Sequence, residues 1–75
     1  MEKDAKFVVC IENKKYPASL EFGKIYRVMD DKKAEEHKML RVVDESGEDY
    51  LYPENYFVAI QLPQLAEEAF MALAY

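Results

Sequence analysis

The 75-residue chain predicts a mainly β fold, a small five-stranded barrel carrying one C-terminal α-helix. Three observations carry that reading. Short apolar, β-branched runs alternate with polar turns, and the two glycines, Gly23 and Gly47, each sit in such a turn. The run Leu51-Tyr52-Pro53-Glu54-Asn55-Tyr56-Phe57-Val58 reads as a strand stopped by proline, a tight turn, and a strand resuming at once. From Leu62 onward the apolar period changes from that of a strand to that of a helix.

The elements follow in order. Residues 6–12, Lys6-Phe7-Val8-Val9-Cys10-Ile11-Glu12, are β-branched and apolar and predict the first strand. The loop Asn13-Lys14-Lys15-Tyr16-Pro17 suits solvent, and Pro17 forces Tyr16 into an extended conformation. Ala18-Ser19-Leu20 leads to a turn at Gly23, and the second strand runs from Lys24 to Met29, with Tyr26 and Val28 on one face and Ile25 and Arg27 on the other. The polar stretch from Asp30 to Lys38 is a long loop holding one short helical turn, capped by an aspartate. Met39-Leu40-Arg41-Val42-Val43 is the third strand, Asp44 to Glu48 a hairpin turn, and Asp49-Tyr50-Leu51-Tyr52 the fourth strand. Pro53-Glu54-Asn55-Tyr56 is a single 3₁₀ turn, and Phe57-Val58-Ala59-Ile60 the fifth strand. In the last segment Leu62, Leu65, Ala66, Ala69, Phe70 and Leu73 form one helical stripe, with Pro63 near the first helical position.

Length allows one domain, with residues 1–61 as the barrel and 62–75 as a helix belonging to it. The expected core is Val9, Ile11, Ala18, Leu20, Tyr26, Val28, Leu40, Val42, Leu51 and Val58. Cys10 is the single cysteine, so no internal disulfide supports this small core. The net charge is −5, and the ten Lys and Arg residues are scattered among fifteen acids, which disfavours nucleic acid and an anionic membrane as partners. No apolar run approaches the roughly 20 residues that span a bilayer. Met1-Glu2-Lys3-Asp4 lacks the apolar core of a signal peptide. With a lone thiol, the expectation is a complete cytoplasmic chain.

Two stretches resemble SH3 domains. Ala18-Ser19-Leu20-Glu21-Phe22-Gly23-Lys24-Ile25-Tyr26-Arg27-Val28 is similar to the segment in which a glycine ends the diverging turn. Gly47 through Tyr56 resembles the distal hairpin leading into the Pro-x-Asn-Tyr turn. Together they cover about half the chain, in the right order. The resemblance implies an SH3-like barrel and places Pro53, Asn55 and Tyr56 at groove positions. Met39 falls near the place where the family has a tryptophan, which this chain lacks. The family's paired tyrosines are absent from the matching Val9-Cys10-Ile11-Glu12-Asn13. With its Asp44-Glu45-Ser46-Gly47-Glu48-Asp49-Tyr50-Leu51-Tyr52-Pro53 run and terminal tail, the chain looks more like small, stand-alone bacterial SH3-like proteins, a likeness that brings no activity with it.

The candidate sites follow from residue chemistry. Tyr16, Tyr50, Tyr52, Tyr56 and Phe57 form an aromatic excess that suits an interface or fills a small core. The run Asp44 to Asp49 reads as a solvated turn, too short for a calcium loop. His37 reads as an exposed loop residue and Cys10 as a buried, inert thiol. One histidine and one cysteine assemble no nucleophile–base pair, so no enzyme and no cofactor are expected. The expectation is a non-catalytic protein-interaction module. It would bind a protein or peptide through Tyr16, Met39, Pro53, Asn55 and Tyr56. Alternatively it would use the terminal helix, where Leu65, Phe70, Leu73 and Tyr75 could meet a partner or a second copy in a homodimer. The alternatives are a nucleic-acid- or ribosome-associated small barrel and a small-molecule- or metal-binding regulator.

Overall fold

The computed structural model describes residues 6–73. The elements are β1 (Phe7–Cys10), β2 (Ile25–Met29), α1 (Lys32–Glu36), β3 (Met39–Val43), β4 (Asp49–Pro53), a 3₁₀ turn (Glu54–Tyr56), β5 (Phe57–Ile60) and α2 (Gln64–Leu73). All strand neighbours are antiparallel, and the sheet order is β4-β3-β2-β1-β5. The pairing changes hands within β2. Ile25, Tyr26 and Arg27 face β1, whereas Val28 and Met29 face β3. The sheet therefore consists of two ladders sharing one strand.

The ladders do not close on themselves, so the barrel expected from the sequence is an open five-stranded sheet. Among the described residues β4 and β5 are its edges. The 3₁₀ turn between them is fastened to other segments instead. Glu54 N–H donates to the Lys38 carbonyl at 2.9 Å, and Ile11 N–H donates to the Tyr56 carbonyl at 2.8 Å. Each turn has its local cause. Gly23 takes φ +83°, which side chains disfavour, while its N–H donates to the Cys10 carbonyl at 2.7 Å. Asp31 caps α1, its carboxylate accepting from Ala34 N–H at 2.9 Å.

Both ladders contribute to one core of Val8, Cys10, Leu20, Tyr26, Leu40, Val42, Tyr52 and Phe57. Leu20, Tyr26, Leu40 and Val42 are buried as expected, and Val28 packs against them from partial burial. Three strands present the opposite face from the one expected. In β1 Val8 and Cys10 point inward while Val9 is half-buried and Ile11 is exposed. In β4 Tyr52, not Leu51, enters the core, and in β5 Phe57 replaces Val58. In β1 and β5 every position is apolar, and in β4 a leucine stands between two tyrosines, so alternation alone does not identify the inner face. Ala18 lies in the loop and is exposed.

The outer face of β1 is also used. Phe7 is 2% exposed and meets Phe70 of α2 edge to face, with ring centroids 5.6 Å apart. Lys6 and Glu67 approach to 3.8 Å, and Met71 Sδ lies 3.8 Å from Arg27. The helix thus rests on the sheet through Glu67, Phe70 and Met71. Leu65, in the same apolar stripe as Phe70, is 82% exposed in the first turn of the helix. Arg27 sits beneath α2 with its Nε buried and unpaired among the described residues.

Candidate functional site

Tyr52 is the floor of the aromatic cluster. Its ring is 1% exposed and meets Tyr16 at 5.0 Å, Tyr50 at 5.3 Å and Phe57 at 6.3 Å, all edge to face. Tyr16 in turn meets Tyr56 at 6.0 Å. Tyr16 and Tyr56 are half-buried, each with one side on the core and the other toward solvent. The aromatic excess therefore serves both packing and surface.

Backbone bonds set the position of Tyr16. Its N–H donates to the Asn13 carbonyl at 2.9 Å, and its carbonyl accepts from Ser19 at 3.1 Å and Leu20 at 2.9 Å. The Asn13 side-chain amide donates to the Leu20 carbonyl at 3.0 Å, closing the loop on itself.

Between this loop and the 3₁₀ turn lies an open cleft of about 390 Å³, lined by Ile11, Glu12, Lys14, Lys15, Asn55 and Tyr56. The structure thus divides the five groove residues expected from the sequence. Asn55 and Tyr56 line the cleft, and Tyr16 supports Tyr56 from behind. Met39 and Pro53 face each other across β3 and β4, half-buried and outside the cleft lining. Ile11, Lys14 and Lys15 were not foreseen as site residues. Ile11, expected in the core, is 44% exposed. The helix residues are also divided. Leu65 is free, Phe70 is spent on Phe7, the Leu73 side chain lies outside what is described, and Tyr75 lies outside the described residues.

The acidic turn is not solvated throughout. Asp44 is 6% exposed. Its carboxylate accepts from Ser46 N–H at 2.9 Å, from Ser46 Oγ at 2.5 Å and from the Tyr52 hydroxyl at 2.6 Å. Burial pushes the Asp44 carboxyl up, but the bonds from Ser46 and Tyr52 outweigh it and hold the group below its ordinary value. Burial, reinforced by the Asp44 charge, pushes the Tyr52 phenol up to about 12. Next to it, Glu45 accepts from Lys24 at 2.9 Å and from the Tyr26 hydroxyl, and these two donors lower its carboxyl. Tyr26 also accepts from Glu21 N–H at 2.7 Å, so the turn before β2 and the β3–β4 hairpin are tied together.

Elsewhere the chemistry is sparse. Cys10 is fully buried, its thiol donating to the Glu12 carbonyl at 3.2 Å, and burial raises its pKa. His37 is exposed at the C-cap of α1. Among the described residues no three His, Cys, Asp or Glu side chains converge as metal ligands, and no helix is long and apolar enough to cross a membrane. Comparison with protein-family models, with curated proteins and with solved structures gives no match.

Proposed function

We propose that this chain is a non-catalytic interaction module that binds an extended peptide segment in the cleft between the Ile11–Tyr16 loop and the 3₁₀ turn. The observation that carries this reading is the cleft itself. It offers an exposed aliphatic side chain, a phenol and an amide on one concave surface of about 390 Å³. Among the described residues, neither the Asn55 amide nor the Tyr56 hydroxyl has a hydrogen-bond partner, so both are available to a ligand backbone.

The SH3-like reading of the fold belongs to this proposal. It draws support from the strand order, from Gly23 ahead of β2 and from the 3₁₀ turn between β4 and β5. Tyr56 is the one aromatic in the cleft lining, however, so the paving that polyproline recognition needs is absent. A ligand anchored by one apolar side chain fits better than a polyproline helix.

The test is to pan a random peptide library on the full chain and map the recovered peptides by amide chemical shifts. Perturbations at Ile11, Asn55 and Tyr56 support the reading. Failure to recover binders, or shifts confined to α2 or β4, would refute it.

A second reading has its own observation. Leu65 is 82% exposed on a helix whose Phe70 is already docked, which favours self-association through α2. Concentration-independent monomeric mass by light scattering would end it.

A further inference from the structure

We infer that the ligand of this cleft is an acidic peptide segment bearing an apolar anchor, an inference that rests on the peptide-binding reading above. The chain as a whole is acidic, with net charge −5. The cleft is a local exception. Two adjacent lysines, Lys14 and Lys15, line it, against one carboxylate, Glu12. That carboxylate is partly occupied, because its Oε2 accepts from the Lys14 backbone N–H at 3.0 Å.

Position, more than pairing, distinguishes these two lysines: Lys32, Lys33 and Lys38 are also exposed without an ion pair among the described residues, but Lys14 and Lys15 are the lysines that line the cleft. Lys24 is committed to Glu45 at 2.7 Å, and Arg41 to Asp31 and Asp49, each at 2.8 Å. Lys14 and Lys15 are exposed, and among the described residues neither ammonium has a carboxylate within ion-pair distance. They stand beside Ile11 and Tyr56, which supply the apolar contact. A carboxylate flanking an apolar residue in an extended segment would meet both features at once. A basic segment would meet the two ammoniums unpaired. Electrostatic complementarity of this kind sets partner choice and encounter rate more than total affinity.

The experiment compares the charge of selected peptides on two versions of the full chain. The random library is panned on the wild type and on Lys14→Glu/Lys15→Glu, both substitutions being on exposed side chains. The strongest wild-type binder is then synthesised together with a copy in which its acids are replaced by lysine. Peptides recovered on the wild type should be rich in Asp and Glu around an apolar residue. Their affinity should fall about tenfold on the double variant, from two exposed ion pairs lost and reversed, and should weaken with salt. The charge-reversed copy should prefer the double variant. The inference is overturned if recovered peptides are neutral or basic, or bind both versions equally, while still shifting Ile11, Asn55 and Tyr56. That outcome leaves the peptide-binding reading standing. If no recovered peptide shifts those residues, the reading itself fails and the inference with it.

Discussion

Tyr52→Phe tests whether one buried hydroxyl holds the hairpin to the core. The substitution keeps the ring that supports Tyr16 and Phe57 and removes the hydroxyl, which donates to Asp44 at 2.6 Å and also takes a side-chain hydrogen bond from Ser19. Ser46 would still serve Oδ1, but Oδ2 would lose its partner. A hydrogen bond to a charged group contributes about 1.5–3 kcal/mol, so the loss should be about 2 kcal/mol. In a domain of this size that corresponds to a fall in Tm of about 8–16 °C. Thermal and urea unfolding, followed by circular dichroism, measure it. Tyr50→Phe is the control, because Tyr50 is 58% exposed and its hydroxyl bonds nothing among the described residues. The cycle with Asp44→Ala decides the cause. Once the carboxylate is gone, Tyr52→Phe should cost much less, only what the Ser19 bond contributes. A loss below about 0.5 kcal/mol, within the range of an ordinary surface change, or the full loss persisting in the Asp44→Ala background, would refute the argument.

Three further outcomes follow from the same geometry. Arg27→Met should leave stability unchanged or raise it by about 1 kcal/mol in urea unfolding, because it replaces a buried, unpaired Nε by an apolar chain of similar reach; a clear loss would mean the guanidinium has a partner in solution. Phe70→Ala should cost about 2 kcal/mol, less than a fully buried phenylalanine, and should uncover Phe7; an unchanged urea midpoint would mean α2 is not docked. Asp44 and Glu45 both have folded pKa values held below their ordinary 3.8 and 4.5. Their stabilisation is therefore complete above those values and is lost as the pH falls through the lower, folded ones. Urea stability measured against pH should be flat near neutrality and decline below about pH 4.5, with a shallower decline in Tyr52→Phe.

The strands and turns were legible because glycine, proline and charge clusters punctuate them. Gly23 and Gly47 sit at positive φ, and Pro53 ends β4 before a 3₁₀ turn, as their chemistry requires. Which face of each strand is buried was legible only where polar residues alternate with apolar ones, as in β2 and β3. In β1 and β5 both faces are apolar, and in β1 both are used, Val8 and Cys10 entering the core while Phe7 packs against Phe70 of α2. Helix α2 illustrates the converse. Its apolar residues surround more than one face, so the stripe named both Leu65 and Phe70, while the contact is made by Phe70 and by Met71 from outside the stripe. In the site, Asn55 and Tyr56 were readable from the Pro-x-Asn-Tyr pattern. Ile11, Lys14 and Lys15 were not, because they come from a distant loop that meets the turn only in three dimensions. Asp44 looked solvated for the same reason, since the hydroxyl that buries it belongs to the next strand.

The two sides of the cleft are not independent loops. Ile11 N–H donates directly to the Tyr56 carbonyl at 2.8 Å, so a backbone bond joins one wall to the other. Tyr16 braces Tyr56 at 6.0 Å and rests on the buried ring of Tyr52. The cleft is therefore positioned by the same contacts that hold the sheet together. A site built this way loses little conformational freedom on binding, and preorganisation raises affinity by lowering that cost. It also follows that stability and binding separate cleanly by atom. Tyr52→Phe removes a hydroxyl beneath the floor and should lower Tm while leaving peptide affinity unchanged well below the transition. The lysine reversal touches only exposed ammoniums and should do the opposite. Coupled losses in both measurements would mean that the cleft is formed by the ligand and not by the fold.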